Sequence, residues 1–164
     1  MRKGIYLTAI MLMFFIVQNS NAQSIKRVKI KDVIKMADTS TVPIVINFFA
    51  TWCRPCVQEL PWFESLVPNY KNKGVKLILV SLDYGDDYPK GIASFAKKAG
   101  INSEIVWLDE TDPNYFCPKI DKRWEGTIPV SLIVNNKNHF RTFVNQQLPE
   151  RQLKQVLDQL ITDN

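Results

Sequence analysis

The sequence predicts an α/β sandwich, a mixed sheet with helices on both faces. Three observations carry that prediction. Two apolar, β-rich runs, "VPIVINFFA" (residues 42–50) and "VKLILVSLD" (residues 75–83), have the length of fully buried strands. Between them Val57, Leu60, Phe63, Leu66 and Val67 recur at helical spacing, so strand, helix and strand make a parallel, right-handed unit. Near the carboxyl end, "IPVSLIV" and "HFRTFVN" are strand-like and joined by the turn-rich "NNKN", which adds a hairpin. Parallel strands are buried on both faces and so require helices on both sides.

The elements can be justified in order. Arg2 and Lys3 precede an apolar run from Ile5 to Val17 and the small-residue site "SNAQ", the pattern of a secretory signal peptide over residues 1–22 with cleavage after Ala22. The run is short for a membrane span, and no cysteine near the site points to a lipid-modified amino terminus. Residues 23–164 suit one hydrophobic core and hence one domain. "KDVIKMA" reads as a short helix, followed by the first buried strand. The motif-bearing helix is expected from Pro55 to about Val67, kinked at Pro61. A further helix from Pro89 to Ala99 stops at Gly100, and "EIVWL" follows as a strand. "DETDPNYFCPKIDKRWEGT" is irregular or briefly helical. The last helix, Pro149 to Ile161, aligns Leu153, Val156, Leu157, Leu160 and Ile161 in one apolar stripe.

Composition narrows the function. The formal charge of +5 loses Arg2 and Lys3 with the signal, and no basic run is interleaved with aromatic residues, so nucleic acid is not an expected partner. All three cysteines, Cys53, Cys56 and Cys117, lie beyond the cleavage site, bound for a compartment where disulfides persist. Three is odd and too few for a disulfide scaffold, so the cysteines need another reason.

Two of them stand in "FFATWCRPCVQELP", residues 48–61, where the pair could be a structural staple, a metal clip or a redox reagent. A staple closing so short a loop removes little chain entropy. A metal clip needs further ligands, and the chain offers only Cys117 and the lone His139, a hairpin residue at the start of a predicted strand. The redox reading has a physical basis. Cys53 lies where a strand gives way to a helix, so free backbone N–H groups and the helix dipole favour a thiolate there. Pro55 fits the first helical turn, and Arg54 adds positive charge. Together these would bring the Cys53 pKa from about 8.5 toward ~7 or below. Cys56 follows one turn later on the same face, within reach of a disulfide.

"FFATWCRPCVQELP", the later "GTIPVSLIV" and the order of elements together resemble the thioredoxin superfamily, and within it the exported TlpA/ResA-type thiol–disulfide oxidoreductases. The resemblance spans roughly residues 40–161 and implies a thioredoxin-like three-layer sandwich. It implies that Cys53 is the exposed nucleophile and Cys56 the resolving thiol of a redox-active disulfide. It further implies that Ile128-Pro129 is a cis bond whose preceding backbone pairs with the client chain, although an X-Pro bond is ordinarily trans. Trp52 resembles the active-site tryptophan, which with Ile128 and Pro129 would contact substrate. Asn47 stands where thioredoxin has a buried Asp and cannot exchange a proton at neutral pH. Glu59, one turn beyond Cys56, resembles the glutamate of the TlpA/ResA branch and is the candidate acid–base group, with an exposed helix glutamate as the alternative.

The expected function is therefore exchange between the Cys53–Cys56 pair and cysteine pairs of client proteins, with no metal and no organic cofactor. Ile128 before the proline, as in reducing thioredoxins, favours a reductase recharged by a membrane electron donor, with apocytochrome c among the clients. The expected location is the bacterial periplasm. A disulfide oxidant or isomerase is the nearest alternative, since the motif leaves a potential anywhere from about −270 to −120 mV. A redox-inert or copper-binding module on the same fold is the other. The unpaired Cys117 is expected to be a buried, inert thiol.

Overall fold

The computed structural model describes residues 24–162, so the signal peptide reading of residues 1–22 lies outside the described residues. The chain forms β1 (Lys26–Val28), α1 (Ile30–Asp38), β2 (Ile44–Phe49), α2 (Arg54–Leu66), β3 (Lys76–Ser81), α3 (Lys90–Ala99), β4 (Glu104–Leu108), α4 (Pro113–Ile120), β5 (Val130–Asn135), β6 (Phe140–Val144) and α5 (Glu150–Leu160). The six strands make one sheet in the order β1-β4-β3-β2-β5-β6. β1, β4, β3 and β2 pair in parallel, whereas β5 is antiparallel to β2 and β6 to β5. This is the predicted mixed sheet, with the predicted parallel β2-α2-β3 unit at its centre.

Alternation along the central strands sends their side chains into two cores. Ile44, Ile46 and Phe48 of β2 join Ile30, Val33 and Ala37 of α1 and Phe116, Cys117 and Ile120 of α4 on one face. Val45 and Phe49 face the other way, against Leu60 and Phe63 of α2, Ile92 and Ala96 of α3, and Leu153, Leu157 and Leu160 of α5. A strand with apolar residues on both faces reads as a continuous run, which is why β2 and β3 were visible as such.

Helix limits follow local chemistry. The Asp32 carboxylate accepts the Lys29 N–H at 2.9 Å and closes the amino end of α1. α3 ends where predicted, at Gly100, whose φ of 68° lies in the left-handed region that a side chain would resist. α2 is one continuous helix through Pro61 and is followed by a 3-10 turn, Val67–Lys73.

Some elements depart from expectation. β1 was not foreseen, because in "KRV" only Val28 is buried and the strand exists by pairing with β4. The segment after β4, read as irregular or briefly helical, does carry a short helix, α4, whose first turn is capped by the Asp112 carboxylate accepting the Asn114 N–H at 2.9 Å. His139 does not open β6; it ends the hairpin turn with φ of 54°, and the strand begins at Phe140. The Tyr88-Pro89 bond before α3 is cis, which no sequence signal had indicated.

Candidate active site

The site is assembled where β2 hands over to α2. After Phe49 the chain turns, and the turn is held from the neighbouring strand. The Thr51 N–H and hydroxyl both donate to Asp83 Oδ1, at 2.9 and 2.6 Å, while the Ser81 hydroxyl donates to Asp83 Oδ2 at 2.7 Å. The Cys53 N–H donates to the Ala50 carbonyl at 3.0 Å, closing the turn. Cys53 is then the cap of α2: its Sγ accepts the Cys56 N–H at 3.3 Å and its carbonyl accepts the Val57 N–H at 3.0 Å. An N-terminal cap satisfies a helix donor that would otherwise lack a partner, and here sulfur does it. Pro55 occupies the first turn, where its missing N–H costs nothing.

Cys53 and Cys56 are joined as a disulfide, with Cα atoms 5.3 Å apart. Opposite them the Ile128-Pro129 bond is cis, and the Ile128 carbonyl oxygen lies 3.8 Å from Cys53 Sγ. The implied exposure of Cys53 needs correction: it is only 6% exposed, because its sulfur is turned inward to cap the helix and lies against the Ile128 carbonyl. Cys56 is fully buried.

Glu59 is no surface residue. It is fully buried, with Oε1 accepting the Asn47 Nδ2–H at 2.7 Å and Oε2 accepting the Leu148 N–H at 2.7 Å. The loop before α5 is thereby tied to α2, and Gln147 Nε2 adds a bond to the Pro55 carbonyl at 2.8 Å. Burial pushes the Glu59 carboxyl up from 4.5 to about 7, against the lowering pull of the Leu148 and Asn47 hydrogen bonds. A carboxyl tuned near neutrality can both accept and return a proton. Asn47 is itself buried, and its second Nδ2–H donates to Ser131 Oγ at 3.1 Å, across the β2–β5 pairing.

Trp52 is 56% exposed and stacks on Tyr84, itself 69% exposed, with ring centroids 5.9 Å apart. The two rings flank a cleft of about 500 Å³ whose lining includes Leu82, Trp107, Pro113, Phe116 and Ile128. One wall of that cleft is thus beside the disulfide and the Ile128 backbone.

The structure brings together Trp52, Cys53, Cys56, Ile128 and Pro129, with Glu59 one turn behind the disulfide. Tyr84, Asp83, Ser131 and Leu148 were missed. Strand register places Ser131 opposite Asn47, and only the fold carries Leu148 to α2. A small residue at alternate spacing in β5 was the one visible hint for Ser131. Cys117 is buried in the other core, where burial pushes its thiol up to about 11 despite a hydrogen bond from the Gly126 backbone. His139 is exposed on the hairpin turn. Among the described residues no group of three or more His, Cys, Asp or Glu is placed to hold a metal ion, and no helix is long and apolar enough to cross a membrane.

Comparison with known proteins agrees with this geometry. Residues 17–141 match the AhpC/TSA family. A thiol-disulfide oxidoreductase ResA of Geobacillus thermodenitrificans is 24% identical over 127 residues, 77% of this chain and 67% of that protein. A ResA of Bacillus anthracis is 40% identical over 73 residues, 44% of this chain and 40% of that protein. In fold, the chain resembles a thioredoxin-related protein of Neisseria meningitidis serogroup B with a TM-score of 0.62 at 21% identity, over 74% of this chain and 86% of that one. The chain belongs to the AhpC/TSA family, and its CxxC disulfide on a thioredoxin-like fold makes it a thiol–disulfide oxidoreductase.

Proposed function

We propose that this protein is an exported reductase of disulfides in client proteins, with Cys53 as nucleophile, Cys56 as resolving thiol and Glu59 as the acid–base group. The observation that carries the reading is the capping geometry at Cys53. A sulfur that accepts the Cys56 N–H at the positive end of α2 is stabilised as a thiolate, both when it attacks and when it leaves.

The electron and proton balance is simple. In the reduced protein the Cys53 thiolate attacks one sulfur of a client disulfide, forming a mixed disulfide and releasing the other client sulfur as a thiolate. Cys56 gives its proton to Glu59 and attacks Cys53 Sγ, which re-forms the Cys53–Cys56 bond and releases the second client thiolate. Two electrons pass to the client, whose thiolates take protons from water and from Glu59. Trp52 and the Ile128-Pro129 backbone would hold the client chain along the cleft. The amino-terminal signal pattern supports action in the bacterial periplasm, where a membrane electron donor would return the electrons. By the resemblance to the TlpA/ResA branch, apocytochrome c is one client.

Trapping tests the reading. Cys56→Ser should accumulate a covalent client complex that reductant splits. Measurement of the disulfide's potential against glutathione should fall toward the reducing end, about −270 mV, and a value near about −120 mV would make the protein an oxidant instead.

A further inference from the structure

One buried atom beside Glu59 has no partner among the described residues. Asn47 donates through both hydrogens of Nδ2, to Glu59 Oε1 and to Ser131 Oγ, while its own Oδ1 is buried with no hydrogen bond. With only donors turned toward Glu59, the arrangement suits one state of that carboxyl. That state is the carboxylate: each Glu59 oxygen faces a donor, Asn47 on one side and the Leu148 N–H on the other.

Protonation of Glu59 breaks this match. A backbone N–H cannot become an acceptor, so a proton on Oε2 would face the Leu148 donor. A proton on Oε1 would face the Asn47 donor, but a carboxamide can turn end for end. The reversed Asn47 places Oδ1 where it accepts from the Glu59 O–H and from the Ser131 hydroxyl, which only has to rotate its hydrogen.

We propose that Asn47 is a positioning residue that follows the protonation of Glu59 by reversing its carboxamide, with Ser131 serving as acceptor in one orientation and donor in the other. The groups facing Glu59 are few. β2 presents Asn47, β5 presents Ser131 through it, the loop before α5 presents the Leu148 N–H, and α2 carries Cys56 one turn earlier. Among the described residues no neighbouring charge acts on the carboxyl, and its position near neutrality comes from burial opposed by these bonds. The device would let the proton be taken from and returned to this buried site with the Glu59 carboxyl hydrogen-bonded to Asn47 in both states, the reversed Nδ2 taking the buried place of the unpartnered Oδ1. Its use in turnover rests on the acid–base role of Glu59 proposed above; its existence does not.

The oxidised full-length protein is the right sample, because neither motif cysteine titrates in it. With carbon-13 and nitrogen-15 labelling, the Glu59 carboxyl carbon and the Asn47 side-chain amide are followed by NMR from pH 5 to 9. The expected result is one shared midpoint, with the nuclear Overhauser contacts from the Asn47 amide hydrogens to Glu59 and Ser131 present above it and lost below it. An amide that keeps those contacts while Glu59 titrates overturns the proposal. Asn47→Ala should raise the Glu59 midpoint by about one unit, a tenfold change in proton affinity, because a hydrogen bond to the charged form is worth more than one to the neutral form. A midpoint unmoved in a folded variant also overturns it, and if the variant does not fold, the native spectra decide. Unchanged turnover in Glu59→Gln would sink the acid–base role and leave the Asn47 result standing.

Discussion

Two buried cysteine sites in this chain, Cys53 with Cys56 and the solitary Cys117, share their depth but differ in what surrounds the sulfur. Both lie in apolar cores on opposite faces of the sheet. Cys53 caps a helix, so its sulfur receives a backbone N–H at the positive end of α2, and its disulfide partner is one turn away. Cys117 lies inside α4, among Phe116, Ile120 and Trp124, and burial pushes its thiol up to about 11. At neutral pH such a thiol is almost wholly protonated and a poor nucleophile. On the proposed reading, the position along a helix, rather than depth in the core, separates a reagent from packing.

The comparison can be broken most sharply at Cys53. Cys53→Ser should abolish reduction of protein disulfides, while Cys56→Ser keeps the first attack and stalls at the mixed disulfide; mass spectrometry of the trapped species reads both. Residual exchange in Cys53→Ser that disappears on further removal of Cys117 would mean that the buried thiol is a reagent after all.

Next in size is the effect of the carboxyl behind the pair. Glu59→Gln should slow the resolving step by about 10²-fold, the lower end of what general acid–base catalysis supplies, and should remove a step in the rate profile near pH 7. Stopped-flow tryptophan fluorescence during single turnover would measure it. Equal rates across pH would return Glu59 to a purely structural role.

Stability should change with pH through the same group. The folded protein holds the Glu59 proton more tightly than the unfolded chain, so its contribution is fully present below pH 4.5, falls as pH rises, and is lost above about 7. The total swing is on the order of 3 kcal/mol at most. Urea unfolding of the oxidised protein at pH 4.5 and pH 8 should show this decline, and Glu59→Gln should lack its share.

The smallest effect is expected at Cys117. Cys117→Ala should leave the exchange rate and the potential unchanged and cost about 1 kcal/mol of stability, the usual scale for trimming one buried atom. In the native fold this thiol should resist iodoacetamide while the reduced Cys53 reacts. Rapid labelling of Cys117 would contradict the contrast.

Much of this molecule is determined by the order of its residues. The buried runs from Ile44 and Lys76, the stripe of α5 and the Gly100 stop follow from hydrophobic periodicity and backbone freedom, which act over a few residues and so survive without a tertiary context. The CxxC spacing with Pro55 likewise puts a sulfur at a helix start by local chemistry. What the fold alone decided is contact between distant segments. β1 exists because β4 offers it an edge, Cys53 is covered because the Ile128 carbonyl lies against it, and Trp52 stacks on Tyr84 beside the cleft. Glu59 could have been a solvated helix residue on spacing alone. It became a buried carboxyl because strand register put Asn47 and Ser131 side by side, and because the chain, 89 residues later, returned the Leu148 N–H to its second oxygen. A proton affinity set by desolvation and three-dimensional hydrogen bonding has no local signature, since neither depth nor partner is encoded in the residues on either side.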